Sequence, residues 1–246
     1  MTLLAALAAP VPCDLSCRAR EADATLAAVA TRLPDAIASI GADRPPEDVA
    51  AWKAAAAQAV RRWIAFRDAR CDTALLRFER GRPDAPLCRI AIDGTAAADL
   101  RLRYALDGAG LGRADVETLA ARASASPEDE GPCAHAPPAE CDYCGMNHCW
   151  EARLRADDAR LNAAWRRALA RIAAKPGLGA AERAAWTARL RAAQRAWLAW
   201  RDADCALERL ETPNPAAHSI YALVTGPCLA REAEARAAVL ERTYAR

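Results

Sequence analysis

The chain has 246 residues, 53% of them hydrophobic and 27% charged, a balance that excludes a wholly disordered protein. Its formal charge of +2 is evenly spread: 15 cations face 14 anions up to residue 110, and 19 face 18 after it. No basic surface of the size nucleic acid requires is announced. Lys occurs only at 53 and 175, and Ala supplies much of the apolar content, so side chains able to fill a wide core are scarce. Narrow helix-on-helix packing suits such a chain.

At the start, "MTLLAALAAPVPC" has an apolar run, Leu3 to Ala9, before small residues. Residues 1–12 read as the remnant of a signal peptide lacking its basic leader, as an upstream true start would produce, though a plain apolar tail fits the same letters. No other apolar run approaches the roughly 20 residues needed to cross a bilayer. The ten cysteines sharpen the question. In a reducing cytosol they would suggest metal or thiol chemistry, whereas an even number in a periplasmic or secreted protein reads as disulfides.

A shift of 134 positions superimposes Trp52 on Trp186, Trp63 on Trp197, Arg67 on Arg201, Asp68 on Asp202 and Cys71 on Cys205. Upstream, Asp23-x-x-Leu26 matches Asp158-x-x-Leu161 at 135, and downstream Cys88 and Tyr104 match Cys228 and Tyr244 at 140. The expectation is a tandem repeat, residues 13–107 and 133–246, joined by a linker over 108–132 that ends in a Ser, Pro and acid-rich run.

Each copy reads as three helices, giving an all-α, disulfide-stapled helical bundle. Pro45 and Pro46 open the first copy's middle helix and Gly81 closes it. In the second copy Pro176 to Gly179 separate the first two helices, and Pro213 and Pro215 end the middle one. The third helices run from about Asp93 to Leu106 and from about Cys228 to Tyr244. Sustained β-type alternation is absent.

The tryptophans of each copy are 11 residues apart, about three helical turns, so both indoles share a face. Trp63, Arg67 and Cys71 follow at spacings of four, as do Trp197, Arg201 and Cys205, which puts the guanidinium on the buried stripe. A buried cation needs a partner; Asp23 and Asp158, on the first helices, are expected to supply it. The cysteine ending each stripe then bonds the one near helix three, Cys71 to Cys88 and Cys205 to Cys228. These bonds close loops of 17 and 23 residues, each worth about 3 kcal/mol on the loop-entropy model. A reactive thiol beside an Arg is the competing reading, and it is disfavoured because each such cysteine has a repeat-matched mate.

With "CWEARLRADDARLNAAW", "LRAAQRAWLAWRDADC", Cys228 and the closing "AAVLERTY", the second copy resembles the LprI-type lysozyme-inhibitor domain. Cys149, Asp158, Leu161, Asn162, Gln194, Trp197, Arg201, Asp202, Cys205 and Cys228 fit that family's pattern. The first copy keeps Asp23, Leu26, Trp63, Arg67, Asp68, Cys71 and Cys88 but has Ala27 and Val60 in place of Asn and Gln, and so reads as degraded. The resemblance implies an exported bacterial helical domain, some of whose relatives inhibit lysozyme.

The junction "CAHAPPAECDYCGMNHC" carries the alternative chemistry. Cys133, Cys141, Cys144 and Cys149, with His135 and His148, offer a zinc or thiol-redox site. Their compression into 17 residues favours disulfides, in which Cys13 and Cys17 are also expected, with the connectivity of all six left open. No metal or other cofactor is expected. His135, His148 and His218 are not placed in a catalytic order, and "GAGLG" follows a helix without a Lys-Ser/Thr, so no enzyme is expected.

Between two prolines and Cys228, "ETPNPAAHSIYALVTGPC" holds Asn214, His218 and Tyr221, a stiff loop suited to entering a partner's cleft. The sequence thus points to a non-enzymatic protein that binds a lysozyme or other peptidoglycan hydrolase and blocks it by occlusion; an envelope protein with no inhibitory target is the rival. A charge of +2 gives no overall steering towards basic lysozymes, for which an acidic patch at Glu128 to Glu130 with Glu140 and Asp142 would compensate.

Overall fold

A computed structural model describes residues 13–80, 84–104, 106, 143–211 and 221–245; the side chains of 80, 143–149 and 221–224 are outside the description. The described residues form seven helices and no strand: α1 (Leu15–Ile40), α2 (Pro46–Arg70), α3 (Thr73–Arg80), α4 (Ala85–Arg103), α5 (Tyr143–Ala174), α6 (Ala180–Glu211) and α7 (Tyr221–Tyr244).

Local chemistry sets the helix ends. Asp14 caps α1 by accepting from the Cys17 N–H at 2.7 Å. The helix runs to Gly41, whose N–H donates to Ile37 O. A Cβ at Gly41 would lie 3.0 Å from both Ile37 O and Val49 Cγ2, so glycine permits the tight corner into α2. That helix opens on Pro45 and Pro46, with Glu47 and Asp48 in its first turn and Arg67 and Arg70 in its last, charges that complement the helix dipole.

The middle helix of the first half stops at Arg70, ten residues before the expected end near Gly81. Asp72 starts a separate helix there by accepting from the Leu75 N–H at 2.9 Å. Helix α4 likewise starts at Ala85, eight residues before the expected Asp93, and α7 starts at Tyr221 and carries Pro227 within it. Between α5 and α6, Gly177 takes a φ of 78°, a left-handed turn that favours glycine.

Helix α1 packs on α4, α5 on α7, and the two middle helices, α2 and α6, on each other. Buried positions recur at helical spacing, as in Leu26, Val29, Leu33 and Ile37 of α1 and, in the other half, Leu161, Ala164, Ala168 and Ile172 of α5. The two halves share their cores. Phe66 and Leu75 belong to the cluster containing Trp186, Trp197 and Trp200, while Leu207 joins the cluster of α1, α2 and α4. Disulfides join Cys13 to Cys17, Cys71 to Cys88 and Cys205 to Cys228. No helix among the described residues is long and apolar enough to cross a membrane.

Candidate functional site

The seam between α2 and α6 gathers most of the distinctive residues. At its centre Phe66 stacks on Trp200 with ring centroids 5.7 Å apart, and Trp63 meets Trp200 edge-on at 4.7 Å. Such aromatic contacts add about 0.5–1.5 kcal/mol each beyond the area they bury. Towards either end the same device appears. Trp52 Nε1 donates to the Tyr104 hydroxyl at 3.3 Å, and that hydroxyl donates to Glu211 of the other half. Trp186 Nε1 donates to the Tyr244 hydroxyl at 3.3 Å, which donates to Glu79 Oε1 at 2.7 Å, again across the seam. Burial, reinforced by the facing carboxylate, pushes both phenols far above their ordinary range, so they remain donors. An arginine completes each end: Arg103 donates to Glu211 and Asp204 at 2.7 and 2.9 Å, and Arg70 to Glu79 at 2.7 Å.

The two motif arginines diverge. Arg67, 7% exposed, donates to Asp23 at 2.7 Å, Asp93 at 3.0 Å and Asp68 at 3.0 Å. Asp93 itself is fully buried and its second oxygen has no hydrogen-bond partner. Burial, with the neighbouring Asp23 hydrogen bond, raises its carboxyl to about 6 in spite of Arg67.

Arg201 does not repeat this arrangement. It pairs with Asp202 at 2.6 Å and lies over the Trp197 ring at 5.2 Å, while Asp158 is exposed and accepts from Asn162 Nδ2 at 3.0 Å. The expected pairing of Asp158 with Arg201 is therefore wrong. Its cause is visible in the third helix, where Ala233 occupies the position that Asp93 holds in the other half.

The C-terminal half instead buries Arg236, which sequence reasoning did not single out. Its Nε donates to Gln194 Oε1 at 2.9 Å, and the guanidinium lies 5.8 Å from the rings of both Phe66 and Trp197. Burial draws its pKa down to about 10, helped by nearby Arg70. The signal available in the sequence was Gln194 at a buried register, a polar group in need of a partner.

Residues 133–240 match the family model described as Lysozyme inhibitor LprI. This segment is similar to LprI domains. No curated protein and no solved structure matches the chain. Within the matched segment, Leu161 and Trp197 are core, Gln194 holds Arg236, and Cys205 is bonded to Cys228, whereas Asp158, Asn162 and Asp202 face solvent.

The remaining expected site residues fall at the edges of the description. Cys133, Cys141, Asn214 and His218 lie outside the described residues, as do His135 and the acidic stretch at 128–142. Cys144, His148 and Cys149 are in α5 and Tyr221 opens α7, so the loop expected up to Cys228 is helical from 221 onward. Among the described residues two groups come within metal-ligand distance, Cys13 with Cys17 and Glu21, and Asp204 with Glu208 and Cys228. In both, the sulfurs are spent in disulfides and offer no thiolate to a metal.

Proposed function

We propose that the protein is an exported inhibitor whose LprI domain binds a lysozyme or another peptidoglycan hydrolase and silences it by covering its cleft. The observation that carries this reading is the match of residues 133–240 to the lysozyme-inhibitor family model. Periplasmic or secreted residence suits three disulfides among the described cysteines. The N-terminal half is a degraded second copy of the domain, and its part is to brace α6 through the shared seam.

Rigidity supports a binder over a catalyst. The buried charges Arg67, Arg70 and Arg103 are paired with carboxylates of the interior, and the motif's three outward residues, Asp158, Asn162 and Asp202, are left on the surface to meet a partner. The stretch with Asn214 and His218 belongs to the same proposal, as the segment that enters the cleft.

The test is a turbidity assay in which purified protein is added to muramidases and other peptidoglycan hydrolases acting on cell-wall suspensions. Dose-dependent loss of activity with one of them supports the reading. Unchanged activity across the panel at large molar excess overturns it.

A further inference from the structure

Each half of the molecule serves as a template for the other, because α2 and α6 correspond at an interval of 134 residues and α4 and α7 at 140. Burial follows the correspondence: Ala97, Leu100 and Tyr104 are buried, as are Ala237, Leu240 and Tyr244. In the C-terminal half, Arg236 fills the space between the third helix and the seam, held by Gln194 and flanked by Phe66 and Trp197. The matching positions in the N-terminal half are Ala96 for Arg236, Val60 for Gln194, Trp200 for Phe66 and Trp63 for Trp197.

Replacing Arg by Ala there removes a whole guanidinium and its stem, and a cleft of about 40 Å³ stands in their place, bordered by Val60, Trp63, Ala96, Asp99, Trp200 and Asp204. One water needs roughly 10–15 Å³ on this measure, so the cleft admits about three water-sized groups, the size of a guanidinium. Two further exchanges put carboxylates on its wall. Asp204 stands where the other half has Arg70, and Asp99 where it has Val239. Asp204 accepts from Arg103 at 2.9 Å, but Arg103 also has Glu208 and Glu211 against it, and a carboxylate accepts more than one donor.

We infer that this cleft takes an arginine side chain of a partner protein, its guanidinium against the Trp63 and Trp200 rings and its charge met by Asp99 and Asp204. Aromatic faces and carboxylates are what a planar, weakly hydrated cation seeks, and the molecule already holds one of its own in the same setting. Leu26, Ala59 and Leu207 line the apolar remainder against which the methylene stem lies. The inference stands apart from hydrolase inhibition, since its test contains no hydrolase.

The experiment titrates the ¹⁵N-labelled full chain with N-acetyl-arginine methylamide while the indole N–H signals are followed, those of Trp63 and Trp200 being assigned from W63F and W200F. Saturable shifts of both signals in the millimolar range are expected. The uncharged isostere N-acetyl-citrulline methylamide should need about tenfold more for the same shift. V60Q/A96R, which rebuilds the occupied arrangement of the other half, should keep native circular dichroism and lose the response. Equal shifts from the two probes, absence of any shift at Trp63 and Trp200, or an undiminished response in folded V60Q/A96R would each overturn the proposal.

Discussion

The contrast between Arg67 and Arg201 shows how one motif serves two energetic ends. Around Arg67, three carboxylates converge on a cation that is 7% exposed, and Asp93 is sealed from water beside it. Arg67→Ala would leave the Asp93 carboxyl buried without its cation, and an expected loss of about 3–5 kcal/mol follows. Thermal melts check it. Asp158→Ala, by contrast, removes an exposed group bonded, among the described residues, to Asn162 within its own helix and should change stability by less than about 0.5 kcal/mol. If D158A lowers the melting temperature as much as D23A does, the two halves are not as different as the geometry requires.

The raised carboxyl of Asp93 gives a pH signature. Because the folded chain holds that proton more tightly than the unfolded chain does, the stability Asp93 contributes is complete below the unfolded value of 3.8 and is lost as pH rises through about 6. Asp93→Asn has no such proton to lose, and its amide can still accept from Arg67. Stability of D93N relative to the native chain should therefore improve between about pH 4 and 7. Parallel melting curves across that range would contradict the assignment.

Among the helices, the staples differ in what they hold. Cys205–Cys228 closes a loop of 23 residues and ties buried positions of α6 and α7, both residues at 1% exposure or less. Cys13–Cys17 spans only one helical turn and constrains little. Replacing Cys205 and Cys228 together by Ala should cost about 3 kcal/mol, measured by chemical denaturation, and far more than the same exchange at 13 and 17.

The stapled pairs of the two middle helices were legible because the sequence states them twice. Helix α3 and the early start of α4 were not, because Asp72 acts as a cap only once α2 stops at Cys71, and nothing in the hydrophobic spacing marks that stop. Equally hidden was the exchange of Asp93 and Val60 for Ala233 and Gln194, which moves the buried cation from the middle helix to the third. A repeat interval says which residues correspond; it does not say which of them touch.

For the molecule as a whole, that distinction decides how it unfolds. Two independent copies would each own a core and a melting transition. Here Phe66 of one half lies on Trp200 of the other, Tyr104 is bonded to Glu211 and Tyr244 to Glu79, so every end of the seam is completed by the opposite half. Trp200→Ala would open a void touching both Trp63 and Phe66, a loss of about 3–5 kcal/mol. Since the void belongs to neither half alone, calorimetry should show one transition displaced to lower temperature, and amide exchange should quicken in α1 and α7 together. A melt that splits in two, with α1 and α4 keeping their native protection, would mean that the seam joins two separately stable units and that the N-terminal half braces nothing.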